Sequence, residues 1–90
     1  MLRTVSITLQ NTDDARPIIE AITEDNPGAT VHSYPGIVKI DREGSLTVHR
    51  ASVETRLGRD WDPQEIHLSL VSMAGNLDED DDYFRLAWAH

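Results

Sequence analysis

Short segments in which apolar and polar residues alternate are the strongest constraint on how this chain can fold. Residues 5–9, 66–70 and 84–88 each show the alternation. A period of two is typical of a strand that buries one of its faces. Because each strand has only one apolar face, the pattern predicts a largely antiparallel sheet with helices packed against it, an α+β fold.

Two further segments have the spacing of helices. Apolar residues recur every three or four positions in residues 15–22, which predicts an amphipathic first helix with Asp14 as its N-cap. This helix is predicted to end at residues 26–28, Asn-Pro-Gly, because the residue before a proline avoids the helical region. Residues 52–57 predict a short second helix, with Gly58 in the left-handed conformation that ends many helices.

The order of the predicted elements repeats along the chain. Each half has the form strand, helix, strand, strand, although the two halves do not match in sequence. The predicted order is strand 5–9, helix 15–25, strand 31–34 and strand 37–41, then strand 46–49, helix 52–57, strand 66–70, polar loop 75–82 and strand 84–88.

The composition excludes several classes of chemistry. A chain of 90 residues forms one small domain with little room for an enclosed active site. The absence of cysteine excludes disulfides, thiolate catalysis and metal–thiolate sites, and it is compatible with a reducing cytoplasm. The net charge of −8 repels nucleic acids and anionic membranes but attracts a partner with a basic face. We therefore expect a cytoplasmic protein that binds neither nucleic acid nor membrane.

No group of residues has the spacing of a known metal or catalytic motif. The acidic run 78–82 begins like a calcium-binding EF-hand loop, but Tyr83 stands where that loop needs glycine and Ala89 where it needs glutamate. The four histidines are not spaced to share one helical face, and no glycine-rich phosphate loop is present. We predict a solvated acidic loop, no metal or cofactor in this chain, and no catalytic activity of its own.

Residues 58–62, Gly-Arg-Asp-Trp-Asp, carry the clearest functional signal. They place a helix stop, opposite charges and one of the two tryptophans in a single turn. Two interpretations of Trp61 are open: its ring covers the end of the second helix, or it is an anchor at a protein interface, where tryptophan is enriched. Trp88 is in strand phase with Phe84 and is assigned to the core. The turn therefore favours docking over catalysis.

Five segments in a fixed order carry a resemblance to a known family. They are residues 18–28, 50–62, 64–68 and 74–76, and the acidic loop that leads into Phe84-x-Leu86-x-Trp88. Together they resemble the coupling, or effector, proteins of bacterial multicomponent monooxygenases, most closely those of the phenol hydroxylase branch. The resemblance covers nearly the whole chain.

The resemblance implies a fold, a partner and a role. The fold is two β-α-β-β motifs that form a corner-like arrangement of antiparallel sheet with two main helices, in one domain spanning residues 1–90. The chain would carry no cofactor, would be a monomer when free, and would bind the hydroxylase oligomer near its di-iron centre. A reductase with FAD and a 2Fe–2S cluster would supply electrons from NADH. The chain would couple NADH oxidation and O2 activation to hydroxylation of an aromatic substrate such as phenol.

The second helix and the turn after it are the predicted contact surface for the hydroxylase. The Asn76 loop and the stop of the first helix are added as further candidates. The predicted contact residues are Glu54, Arg56, Leu57, Arg59, Asp60, Trp61, Asn76 and Asn26.

Two other functions stay open from the residues alone. A twofold α+β repeat can hold a small molecule between its halves, although the strand residues that face the helices are plain aliphatics. The net charge of −8 also fits an acidic inhibitor of a basic protein. Ligand-dependent thermal shifts would favour the first alternative, and salt-dependent binding to a basic protein unrelated to oxygenases would favour the second.

Overall fold

The computed structural model describes residues 3–88, which form an α+β domain as the alternating segments predict. The seven strands are β1 (Thr4–Gln10), β2 (Thr30–Tyr34), β3 (Ile37–Glu43), β4 (Ser45–His49), β5 (Leu70–Ala74), β6 (Asn76–Glu79) and β7 (Tyr83–Ala87). The helices are α1 (Arg16–Asp25), α2 (Arg50–Leu57) and a 3₁₀ helix (Pro63–Leu68).

The strands form two antiparallel sheets: the first half of the chain builds three strands of one, and the second half builds the other. Sheet A has the order β2-β3-β1-β5, and sheet B has the order β4-β7-β6. In both halves the last strand lies in the centre, between the strand before the helix and a strand after it. The predicted fold class, with two β-α-β-β motifs and two main helices, is confirmed. The addition to the repeat is β5, which pairs with β1 at the edge of sheet A.

Two glycines allow the chain to turn from one sheet into the other. Gly44 joins β3 to β4 with a φ of 89°, and Gly75 joins β5 to β6 with a φ of 138°. Residues other than glycine rarely adopt such positive φ angles. At Gly75 a Cβ atom would also lie 3.1 Å from Cγ1 of Val5. The corner between the sheets therefore depends on these two positions.

The core lies where the two sheets meet the two helices. Helix α1 packs against α2 and β4, and it buries Ile18 and Ile22. Trp61 and Phe84 are the largest fully buried side chains of the described residues. Trp88 is partly buried against this core, and its indole N–H donates to the carbonyl of Thr4 at 2.9 Å. Trp88 therefore packs on the core, as predicted, but it lies at the margin and is only partly buried.

Three local predictions were wrong. Residues 66–68, predicted as strand, belong to the 3₁₀ helix, because Asp62 accepts from the amide of Gln64 at 3.0 Å and Glu65 accepts from that of Asp62 at 2.9 Å. This capping box, with Pro63 at the first position, starts a helix. Residues 76–79, predicted as loop, form β6 against β7.

The start of α1 also differs from the prediction. Its N-cap is Ala15, which offers no side-chain acceptor, and Asp14 makes no capping bond. The hydroxyl of Thr12 accepts from the amide of Ala15 at 3.2 Å instead. Proline within the first turn fixes the backbone there without loss of a helical hydrogen bond.

Candidate docking surface

Helix α2 leaves most of its surface available to a partner. Val53 is its one buried residue, and Leu57 packs partly against the core. Gly58 ends the helix with a φ of 71°, and its amide donates to the carbonyl of Glu54 at 2.8 Å. A left-handed glycine at this position is as predicted, and it turns the chain sharply into residues 59–62.

Glu54 holds the turn after α2 against the helix. Its carboxylate accepts from the backbone amide of Trp61 at 2.8 Å and from Nε of Arg50 at 3.1 Å. The amide of Trp61, and then Arg50, keep the pKa of Glu54 below its usual range. The same hydrogen bond from Arg50 to Glu54 raises the pKa of Arg50. The carboxylate is therefore ionised at neutral pH and fixes the path of the turn.

Arg50 extends this network to the acidic loop. Its backbone amide donates to the carbonyl of Asp82 at 2.9 Å. Its guanidinium also reaches the carbonyl of Asp81 at 3.4 Å. One end of α2 is thus tied to the β6–β7 connection, while Glu54 ties the helix to the turn.

The two arginines of the predicted surface have different surroundings. Arg56 binds Glu24 and lies 3.6 Å from Glu20, so it clamps α2 to α1. Arg59 is more exposed: its guanidinium donates to the carbonyl of Asp60 at 2.8 Å and lies 3.7 Å from a carboxylate oxygen of Glu65. Surface ion pairs of this kind contribute little stability, so Arg59 can change partners at low cost.

Five of the predicted contact residues lie on α2 or in the turn after it, and we call this set the docking face. Each is partly or fully exposed, although Leu57 also packs against the core. The docking face consists of Glu54, Arg56, Leu57, Arg59 and Asp60.

Trp61 is not part of the exposed docking face. Only 2% of its surface is accessible, and it belongs to the hydrophobic core. This burial fits the interpretation in which the ring packs inside the domain next to the end of α2. Trp61 therefore supports the docking face from beneath.

Asn26 is buried for an equally clear structural reason. Its amide nitrogen donates to the carbonyls of Ile22 and Thr47, each at 2.7 Å, and its oxygen accepts from the amide of Thr47 at 2.9 Å. With 5% of its surface exposed, it links the end of α1 to β4. These hydrogen bonds give Asn26 a structural role where α1 ends.

Asn76 is exposed but lies away from the docking face. It begins β6 and is opposite Ala87, which in turn is opposite Ser45. Helix α2 instead follows His49, at the other end of β4. At about 3.3 Å per residue, the two ends of this strand are about 13 Å apart. The structure does not bring Asn76 together with the α2 residues.

A surface groove adjoins the docking face. It has a volume of about 360 Å³, and Leu57, Arg59, Trp61, Leu68 and Ser69 are among its lining residues. Leu68 is 80% exposed there, whereas the sequence pattern had placed it in a strand. The capping box at Asp62 was the signal that could have located it.

The described residues contain no candidate metal site. Residues 3–88 contain no group of three or more histidine, aspartate or glutamate side chains placed to hold a metal ion. None of the helices in this part of the chain is long and apolar enough to cross a membrane. The docking face carries charges of both signs, and polar side chains form the rim of protein interfaces.

Comparison with known proteins decides the family. Residues 3–87 match the MmoB/DmpM family. The chain belongs to the MmoB/DmpM family. Within this family it is 45% identical over 84 residues to the phenol 2-monooxygenase stimulatory component DmpM of Pseudomonas sp. strain CF600, a match that covers 93% of each chain.

Solved structures agree with this MmoB/DmpM assignment. A chain from a phenol hydroxylase–regulatory protein complex superposes with a TM-score of 0.92 at 45% identity, covering 97% of this chain and all of that one. A chain from a second such complex gives a TM-score of 0.89 at 43% identity, with 96% and 100% covered. The soluble methane monooxygenase regulatory protein B shares the fold, with a TM-score of 0.76 at 22% identity over 96% of this chain and 65% of its own.

Proposed function

We propose that this chain is the non-catalytic regulatory component of a phenol-type multicomponent monooxygenase and acts by binding the hydroxylase. The observation that carries the proposal is the match over 93% of both chains to a stimulatory component of phenol 2-monooxygenase. The TM-score of 0.92 to a chain of a phenol hydroxylase–regulatory protein complex supports the same role. The aromatic substrate is bound by the hydroxylase.

A protein without a cofactor changes a reaction through the conformations of its partner. It must bind one conformation of the hydroxylase more tightly than another. A difference of about 1–3 kcal/mol in binding free energy shifts that equilibrium by about 5–150-fold. In this proposal the favoured conformation is the one in which O2 activation leads to substrate hydroxylation.

The docking face is the proposed site of contact. Arg59 and Asp60 lie at its exposed end, where their side chains can pair with opposite charges on the hydroxylase. Glu54 and Trp61 act indirectly, because one fixes the backbone of the turn and the other fills the space beneath it. Arg56 is already paired with α1, so its role is to hold the orientation of the helix.

The wider assignment follows the family. The hydroxylase is proposed to hold a di-iron centre close to the docking site, and a reductase with FAD and a 2Fe–2S cluster is proposed to deliver electrons from NADH. This chain is proposed to act in the cytoplasm and to be a monomer when free. Its task is to raise the yield of hydroxylated product for each NADH consumed.

Charge reversal on the docking face tests the contact surface. In Arg59→Glu we expect at least tenfold weaker binding to the hydroxylase of the source organism, measured by calorimetry, with an unchanged circular dichroism spectrum. Lys39→Glu is the matched control, because it makes the same charge change on β3 in sheet A. Equal binding by both variants and the wild type would remove the docking face from the proposal.

A further inference from the structure

Exposed large apolar side chains are concentrated on one short segment. Of the six that the described residues expose, four are Leu68, Val71, Met73 and Leu77, at 80%, 50%, 39% and 37%. Residues 68–77 contain no charged residue, although 27% of the chain is charged. Single exposed leucines are ordinary, whereas a cluster of apolar side chains marks a binding surface.

The centre of this segment is a free sheet edge. Within residues 3–88 the order of sheet A ends with β1 and then β5, so β5 has a strand on one side alone. Its length is about 17 Å at 3.3–3.4 Å per residue. Along the free side, backbone N–H and C=O groups are available to another strand.

The free edge of β5 lacks most of the usual protection against pairing. Edge strands commonly carry lysine, proline or inward-pointing charges, and β5 reads Leu-Val-Ser-Met-Ala. One irregularity is present: a register shift opposite Thr8 and Leu9 leaves Val71 without a partner in β1. The edge of sheet B, by contrast, carries Asp78 and Glu79 in β6. The two neighbouring edges therefore differ in the partners that they admit.

The β5 edge is continuous with the docking face. The groove that contains Leu57 and Arg59 is also lined by Leu68 and Ser69, the two residues that lead directly into β5. A partner that covers the docking face reaches the start of this strand without leaving the surface. Beyond the corner at Gly75, the chain leaves sheet A and enters β6 of sheet B.

We propose that the β5 edge binds an extended segment of the hydroxylase by strand addition, as a second part of the interface. This inference rests on the proposed function. The segment would place apolar side chains at alternate positions against Val71 and Met73, while its backbone pairs with the free side of β5.

A pair of double variants tests the strand addition. The double variant Val71→Lys, Met73→Lys gives β5 two lysines, the residue that commonly protects edge strands from pairing with another strand. Val31→Lys with Tyr34→Lys makes the same charge change on exposed residues of β2, the opposite edge of sheet A. Both are titrated by calorimetry against hydroxylase from the source organism, and folding is checked by circular dichroism and thermal unfolding.

We expect the β5 variant to bind at least tenfold more weakly and the β2 variant to bind within twofold of the wild type. Hydrogen exchange of the wild-type chain provides a readout that does not depend on a variant folding: backbone amides of β5 should exchange at least tenfold more slowly in the complex. Wild-type binding by a folded β5 variant, or unchanged exchange in β5, would overturn strand addition. Failure of the wild-type chain itself to bind the hydroxylase would instead overturn the proposed function.

Discussion

Replacement of Trp61 by alanine separates support from direct contact. Trp61 lies in the core with 2% of its surface exposed, and removal of a buried tryptophan costs about 3–5 kcal/mol. A domain of this length has a free energy of unfolding of about 5–13 kcal/mol at 0.05–0.15 kcal/mol per residue. With a urea m-value of about 1.5 kcal/mol/M, the unfolding midpoint should fall by about 2–3 M.

The assay for Trp61→Ala combines urea unfolding, followed by circular dichroism, with hydroxylase binding at low temperature where the variant is folded. Trp61→Phe is the control, because it keeps an aromatic ring in the core and should lose less stability. Arg59→Glu should show the opposite behaviour, with a midpoint within 0.5 M of the wild type, as expected of surface changes of about 0.5 kcal/mol or less, and much weaker binding. A Trp61→Ala protein that is as stable as the wild type but does not bind would refute the supporting role and make Trp61 a direct contact.

Three further outcomes follow from the structure. Asn26→Ala removes three hydrogen bonds and leaves both backbone groups of Thr47 without their partner, so urea unfolding should show a loss of about 2–4 kcal/mol; an unchanged midpoint would refute the link between α1 and β4. Gly75→Ala should cost about 1–3 kcal/mol through its φ of 138° and the contact with Val5, and a thermal melt like that of the wild type would contradict this. Because the folded pKa of Glu54 is lowered, its stabilisation is complete above the usual glutamate value of about 4.3 and is lost as pH falls through the folded pKa. Glu54→Gln should therefore flatten the fall in stability with acid, measured by urea unfolding from pH 6 to pH 2.5, roughly the range over which carboxylates titrate, and an unaltered slope would count against this role.

Local periodicity predicted the elements that bury a regular face. Alternation located β1 and β7, and helical spacing located α1 and α2, because in each case one face packs on the core. It failed at residues 66–68, where Ile66 is buried but Leu68 is exposed. There the capping box of Asp62 and Glu65 fixes a 3₁₀ helix, and local hydrogen bonds prevailed over an alternating pattern.

The acidic run shows a second limit of sequence patterns. Residues 76–79 have the composition of a loop, yet they form β6 because their backbone pairs with that of β7. Strand β7 is itself held in place by the buried side chains of Phe84 and Leu86. Charges on an outer strand cost little when their side chains remain in water, and they protect the edge. Such a strand is specified by its neighbour more than by its own residues.

The sequence indicated which charged residues near α2 are exposed, but it did not indicate which other predicted contact residues are buried. The charges of α2 and its turn are exposed as the sequence indicated, because Gly58 turns the chain away from the core. The burial of Trp61 and Asn26 depends on contacts with residues distant in sequence, such as Thr47 for Asn26. Single-residue preferences carry no information about such partners, so the sequence left Trp61 between two interpretations.

Titration of the chain into hydroxylase and reductase, with product measured per NADH consumed, is the most direct test of the proposed function. As the chain approaches the concentration of hydroxylase active sites, we expect the yield of hydroxylated phenol per NADH to rise severalfold and peroxide release to fall. Arg59→Glu should need at least tenfold more protein to reach the same yield. A yield that does not change at any concentration of the wild-type chain would contradict the regulatory role.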